Sequence, residues 1–409
     1  MPKLRKFFYV LRIIIAWTIV SLLMQGGFYY ALNSRVETVL FPTIDIVEPI
    51  IDTVTATIYG TELENVQLSY DKTYVAYIER GTFKVFNITQ EKQVYQNIPP
   101  ASTDPVMGIH SYQWLPDRNT LLYFHTKRNP NEVWQERIDP TPQVVMVPSD
   151  PEDPNSEPVY ETIIGEPTFV TRYGNPHMVE LYTLEFPESD DTESLPDDRF
   201  NQSITQLPRN GIITDLVFST ASNLIYLNAK GNTQLLLEID VMKRIYVRSR
   251  SGETVGRMAS SERFGTLYYD STIGNASEVI ALSSNRRWVI SRNPTNQVLG
   301  VKDGKVFLGV VINDQLVRVM TASDRLDLAE SPAMRTEWEG SVPFKDNRVL
   351  ISAKGEVIVY NHSLAYLIVN GRERVIPFGG DENYISMDGS VRMQFTKDNG
   401  FTLLELHPL

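Results

Sequence analysis

Apolar and polar residues alternate in short runs along most of this chain, and Ser69–Ile88, SYDKTYVAYIERGTFKVFNI, displays the pattern most plainly. Ser69, Asp71 and Lys72 occupy a turn, where Ser and Asp side chains can hydrogen-bond the backbone two residues on. Tyr74–Ile78 is β-branched and aromatic, the composition of a half-buried strand. Glu79-Arg80-Gly81 breaks the run, and Gly81 can supply the positive φ of a tight turn. Thr82–Ile88 then alternates, with Phe83 and Val85 on one face and Thr82, Lys84, Phe86 and Ile88 on the other. Apolar side chains on both faces are expected for a sheet packed between two neighbours.

Weaker copies of this turn–strand–turn–strand unit recur to the C-terminus. Ile109–Leu115 and Thr120–Thr126 flank the turn Pro116-Asp117-Arg118-Asn119, and Lys92–Ile98, Glu132–Ile138 and Met178–Phe186 read as further strands. Strand runs resume at Ile212–Ser219, Leu224–Leu227, Gln234–Asp240, Arg244–Arg248, Thr266–Tyr269, Glu278–Leu282 and Trp288–Ser291. They continue through Gln297–Val301, Lys305–Ile312, Gln315–Thr321, Ile351–Val359, Tyr366–Val369 and Arg374–Pro377. The last copy, Ile385–Phe395 followed by Asn399-Gly400 and FTLLEL, contains Ser386-Met387-Asp388-Gly389. Only Ser323–Thr336 reads as helical, and Pro332 interrupts it. The region is otherwise all-β.

A Ser-x-Asp-Gly turn, an apolar strand, a short turn and a second strand resemble the blade repeat of β-propellers of the TolB-like, dipeptidyl-peptidase-like and WD40-like group. The likeness covers most of residues 60–409 and is closest at Ser69 and Ser386, while the WD40 Gly-His and Trp-Asp pairs are absent. Strand spacing supports a propeller independently, because short strands must bury both faces and hide their edges, which radial stacking of four-stranded blades achieves. Roughly 350 residues at about 45–50 per blade predict about seven blades. The final group offers three strands, Tyr384–Ser386, Val391–Thr396 and Phe401–Leu406; Thr53–Tyr59, TVTATIY, is the expected fourth and would close the ring. The competing folds are stacked β-sandwiches or a jelly roll.

The N-terminus departs from this pattern. Lys3, Arg5, Lys6 and Arg12 precede Ile13–Leu32, 20 residues without a charge. At 1.5 Å per residue, about 20 apolar residues span a bilayer core. Aromatic residues stand before the run at Phe7–Tyr9 and at its far end at Phe28–Tyr30. The expectation is a signal-anchor helix from Ile13 to Leu32, embedded in membrane lipid. Its basic flank, residues 1–12, would lie in the cytoplasm; a linker would cover 33–60 and an extracytoplasmic domain 61–409. A cleaved signal peptide is the rival, but the run is long for one and Ala31-Leu32-Asn33-Ser34 is a poor cleavage site.

Composition then narrows the chemistry. The 409 residues include no cysteine, which excludes disulfides, thiolate metal sites and a cysteine nucleophile. Net charge is -12, and Asp150–Asp198 alone holds 14 acidic residues against Arg172. No basic face is implied, so nucleic acid is not an expected partner. The acidic stretches Pro148–Pro158 and Pro187–Asp198 read as solvated, mobile loops. The second has the charge for calcium without the glycine-bearing turn.

No G-x-S-x-G accompanies the repeats, and no sialidase-type Ser-x-Asp-x-Gly-x-x-Trp box occurs. His110, His125, His177, His362 and His407 fall in no ligand spacing. Arg286, Arg287 and Trp288 combine guanidinium groups with an indole at a blade edge, a candidate ligand contact. The plainer reading of the three is a turn with solvated arginines and a core tryptophan. Asn87, Asn201, Asn275 and Asn361 fit the N-glycosylation pattern, which matters only in a eukaryotic secretory route. With no catalytic, cofactor or metal site expected, the sequence points to a plasma-membrane protein whose extracytoplasmic propeller docks a protein or glycan partner at the cell envelope. The alternative is an envelope glycan hydrolase or lyase with carboxylates converging on the propeller channel.

Overall fold

The structure is a computed structural model that describes residues 54–101, 104, 106–148, 158–187, 196–325 and 333–409, with seven helical or near-helical positions between 17 and 29. Met1–Ile50 and Ile51–Leu409 form separate compact units. Among the described residues no helix is long and apolar enough to cross a membrane. Most of the expected anchor, 13–32, and of the linker before residue 54 lies outside the described residues.

Residues 54–409 build seven four-stranded antiparallel sheets. Blade 1 runs Leu63–Leu68, Tyr74–Glu79, Thr82–Asn87, Lys92–Asn97; blade 2 uses Gly108–Trp114, Thr120–Arg128, His177–Glu185 and Asp197–Ile204. Blades 3 to 6 follow as four consecutive strands each, beginning at Ile212–Ser219, Glu253–Ser260, Asn296–Lys302 and Arg348–Ile351. Blade 7 takes Glu382–Ile385, Val391–Asp398 and Phe401–Pro408 from the C-terminus and Val54–Tyr59 from the N-terminal side. The expected ring closure is present: Val54 pairs with Leu406 and Tyr59 with Phe401. First strands of neighbouring blades approach one another and are innermost.

Seven hydrophobic clusters lie one between each pair of adjacent blades, and the cluster joining blade 7 to blade 1 completes the circle. Strand periodicity explains how. On Tyr74–Glu79, Tyr74, Ala76 and Ile78 enter the core shared with blade 2, whereas Val75 and Tyr77 enter the core shared with blade 7. Successive side chains point to opposite faces, so one apolar run feeds two cores.

The turn that marks the repeat is held by a buried serine. Ser69 Oγ accepts from Tyr74 N at 2.9 Å and donates to Asp71 Oδ1 at 2.8 Å. Ser386 repeats this with Val391 N at 3.0 Å and Asp388 Oδ1 at 2.5 Å. Ser219, Ser261 and Ser352 are equally buried at the corresponding strand ends. These turns also link blades: Lys72 Nζ reaches Asp388 at 2.9 Å, and Asn119 Nδ2 donates to Asp71 at 2.6 Å. They form a polar belt around one end of the ring.

Two sequence expectations need correcting. Ser323–Thr336 is not a helix where it is described: Ser323 ends the strand Gln315–Ser323, and Thr336 lies in Arg335–Pro343, the outermost strand of blade 5. There Trp338 and Val342 face the core while their neighbours are exposed or half-buried, a period-2 signal masked by the preceding leucines and alanine. The second acidic stretch ends earlier than expected, because Asp197 and Asp198 begin the outer strand of blade 2. Asp198 is held there by Tyr123 Oη at 2.8 Å and Tyr95 Oη at 2.7 Å.

Candidate functional site

The turn between the second and third strands is short in six blades. Arg80-Gly81 in blade 1 and Asn313-Asp314 in blade 5 take positive φ at both residues, the geometry of a tight hairpin. In blade 2 the same position holds residues 129–176, a 48-residue excursion. It leaves on Val133–Ile138 and Gln143–Pro148 and returns on Pro158–Ile163 and Thr168–Tyr173. Among the described residues Val133–Ile138 pairs only with Thr168–Tyr173, and Gln143–Pro148 only with Pro158–Ile163. The result is a jointed two-stranded arm. Prolines sit on both strands at each joint, Pro130 and Pro176 at the base, Pro140, Pro142 and Pro167 midway. Each lacks the N–H that would carry the ladder through.

The arm shows large apolar side chains to solvent on both faces. Val133, Phe169 and Tyr173 share one face of the stem, and Trp134, Ile138 and Val170 the other; all six are exposed. At the tip, Val144, Met146 and Tyr160 share a face at 63%, 65% and 70% exposure. Arg172 Nε meets Glu136 at 2.6 Å and Arg137 Nε meets Asp139 at 2.7 Å. Sequence reasoning predicted only the first of the four arm strands. The signal was there, since QVVMV and TFVTRY have strand composition, but proline-rich neighbours hid it.

The arm leaves the ring at the end opposite the serine turns. Innermost strands of five blades carry bulges, at Asn65, His110, Thr214, Gly256-Arg257 and Leu299. Asp270 accepts from Val298 N at 2.8 Å and lies beside Arg257, which also senses Asp215. Burial pushes the Asp270 carboxyl up to about 7, against the pull of the Val298 N–H and of Arg257. Desolvation by the surrounding strands raises Asp215, whose surface stays exposed, to about 6. Arg257 stacks over Phe344 with its guanidinium carbon 4.5 Å from the ring centre. A cavity of about 240 Å³ opens between blades 2 and 3, lined by His110, Ser111, Phe124, Thr126 and apolar neighbours. Among the described residues no group of three or more potential metal ligands converges.

The sequence triplet lies on Arg286–Ser291, the outermost strand of blade 4. Arg287 turns inward and clamps Glu253 at 2.7 and 3.2 Å while also donating to Arg248 O at 2.7 Å. Arg248 in turn holds Glu238 through two bonds of 2.9 and 2.8 Å. Trp288 packs half-buried against the blade 4–blade 5 core, and Arg286 is exposed. The histidines are scattered: His177 meets Asp104 at 2.6 Å, and His362 meets Asn383 O at 3.1 Å. Of the four glycosylation-type asparagines, Asn87 is buried and accepts from Gln90 N at 2.9 Å.

No family model matches the chain, and no curated protein matches it. Solved structures do. The β-propeller domain of Cps50 (Swd1) from Myceliophteria thermophila aligns at 10% identity, 86% of this chain, 99% of that one and a TM-score of 0.49. The WD40 β-propeller domain of Doa1 aligns at 12% identity over 87% of this chain and 96% of its own, TM-score 0.47. Porphyromonas gingivalis dipeptidyl peptidase 4 aligns at 11% identity, 82% of this chain and 50% of that one, TM-score 0.42. The seven-blade assignment rests on the sheet topology itself.

Proposed function

We propose that this protein is a non-catalytic docking scaffold of the cell envelope, tethered through residues 13–32 and engaging a protein partner through the blade 2 arm. One observation carries the proposal. The inner strands of each blade are covered by the neighbouring blades, whereas the arm exposes apolar side chains on both faces. An exposed apolar patch of this kind marks an interaction surface. The tether is supported by the uncharged run and its one-sided basic flank. The chain enters the ring at Val54, which is at the belt end, since Val54 pairs beside Leu406 and Met393 pairs with Leu406 on the strand leaving the Ser386 turn. The arm leaves the ring at the other end.

The test is a photocrosslinking residue at Trp134 or Phe169 in intact cells, compared with one at Tyr70 on the belt. A discrete crosslinked species at the arm positions alone is expected, together with digestion of residues 54–409 by external protease. Equal crosslinking at both ends, or full protection from protease, overturns the proposal.

A second reading, a glycan-acting hydrolase or lyase, draws on Asp215 and Asp270 on either side of Arg257. Against it, both carboxylates take up backbone N–H groups and share one arginine. Turnover of cell-wall polysaccharide that is lost in Asp215→Asn and Asp270→Asn variants would favour this second reading.

A further inference from the structure

We infer that the tip ladder of the arm binds its partner by strand addition, along the free edge of Gln143–Pro148, and that the added segment is extended, apolar on one face and basic on the other. This rests on the scaffold reading and names the partner's chemistry.

The first ground is the incompleteness of the ladder. A lone two-stranded ribbon is marginally stable in water and needs a third strand or a covering layer. Gln143–Pro148 pairs only with Pro158–Ile163, which leaves one row of its backbone groups without a strand partner among the described residues. Natural edge strands are blunted by charge, by proline within the strand or by a bulge. This one has no charged residue, and its only proline is the last residue. Its register with Pro158–Ile163 runs without a bulge. QVVMV is a high-β, uncharged segment of the kind that aggregates when left open.

The second ground is chemical asymmetry. Val144, Met146 and Tyr160 make one face apolar, whereas Val145 and Gln143 share the other face with Glu161 and Ile163. Residues 129–176 hold nine carboxylates against Arg137 and Arg172, a net charge of -7. Both arginines are already matched to carboxylates of the arm. Alternation in an added strand would place its apolar side chains beside Val144 and Met146 and its cations on the Glu161 face. A second copy of this chain is disfavoured as occupant, since two such arms carry the same negative charge. An anionic bilayer is disfavoured for the same reason.

The probe is a nine-residue peptide alternating valine and lysine, titrated against the full chain in detergent. Saturable, salt-weakened binding is expected, at least tenfold weaker for a Val144→Lys/Met146→Lys variant, for a protein whose residues 129–176 are replaced by an Asn-Gly turn, and for an N-methylated peptide. A valine–glutamate peptide should not bind. Equal binding to the arm-less protein, equal binding of the glutamate peptide, or an arm-dependent dimer in sedimentation each overturns strand addition. Arm-dependent uptake on lipid vesicles without peptide binding does so as well. Failure of the peptide while the arm crosslinks in cells defeats this inference and leaves the scaffold standing; failure of both defeats the two together.

Discussion

Blade 2 and blade 5 begin from the same design and diverge at one hairpin. In blade 5 the second and third strands, Lys305–Ile312 and Gln315–Ser323, are joined by Asn313-Asp314, and both faces of the sheet feed buried cores. In blade 2 the equivalent strands run on through prolines into an arm whose faces feed none of the seven interblade cores. The four strands of blade 2 inside the ring are as well buried as those of blade 5, with Trp114, Leu121, Tyr123 and Leu184 all at or near full burial. The contrast separates two uses of one alternating code. Inside the ring, apolar residues on both faces produce cohesion. Beyond the ring, the same pattern produces an exposed apolar surface.

That comparison predicts the ring to be intolerant of change and the arm to be tolerant. The largest effect is expected from removing residues 1–60. This leaves blade 7 with three strands and strips Ala56 and Ile58, both at most 1% exposed, from the core shared with blade 1. Loss of a cooperative unfolding transition by calorimetry is the expected outcome; an unchanged transition would mean that the circle closes without its N-terminal strand.

Next comes the blade 3–blade 4 junction. Glu253 is fully buried as a side chain and is clamped by Arg287, Ser271 and Arg250 N. Burial alone would raise its pKa, but those partners outweigh it and hold the carboxyl below its ordinary range. Glu253→Ala strands the Arg287 guanidinium and should cost about 3–5 kcal/mol in urea unfolding. A loss under about 1 kcal/mol would place the junction's strength in its apolar contacts instead.

Two carboxylates should give opposite pH responses. Asp388 is burdened by burial, yet Lys72, Ser386 and Ser390 bring it down to about 2 from 3.8. Its contribution is therefore present above pH 3.8 and is lost as pH falls through about 2. Asp270 moves the other way, to about 7. Its contribution is present below pH 3.8 and is lost as pH rises through about 7. Asp270→Asn, which keeps an acceptor for Val298 N, should flatten the decline in melting temperature between those values. Asp388→Asn should lessen the acid limb only. If both variants change the same limb, the burial assigned to one of them is wrong.

How much of this was legible in the sequence follows from where the code stayed regular. Ser69 and Ser386 gave away the repeat because a turn serine followed by an apolar strand is a local signal, and Thr53–Tyr59 could be matched to Phe401–Leu406 by counting the strands left over. Glu253–Ser260 and Arg335–Pro343 were missed. The first carries a bulge at Gly256-Arg257 that shifts its period midway, and the second mixes Trp338 and Val342 with charged neighbours. Arg287 could be picked out as unusual but not placed, because its partner Glu253 stands 34 residues away. Asp215, Arg257 and Asp270 were invisible for a similar reason, since three strands in two blades bring them together.

The smallest effect is the sharpest test of the contrast. Replacing residues 129–176 by Asn-Gly would give blade 2 the two-residue hairpin of its neighbours, with Arg128 and His177, already paired across the ladder, at its ends. None of the seven interblade clusters includes a residue of the arm. Ring stability should therefore fall by no more than about 0.5 kcal/mol, and the shorter connection lowers the loop-closure cost, which acts in the stabilising direction. Solubility should rise, because eleven exposed apolar side chains are removed with the arm. Two contacts at the base of the arm give leverage: His177 bonds Asp104 at 2.6 Å and must keep its place in the shortened hairpin, and Asn175 Nδ2 donates to Pro208 O at 3.0 Å and is lost with the arm. His177→Ala and Asn175→Ala variants of the full chain measure those contacts separately. A fall in ring stability beyond these two contributions would mean that the arm braces the propeller, and the division into a cohesive ring and a separate arm would fail.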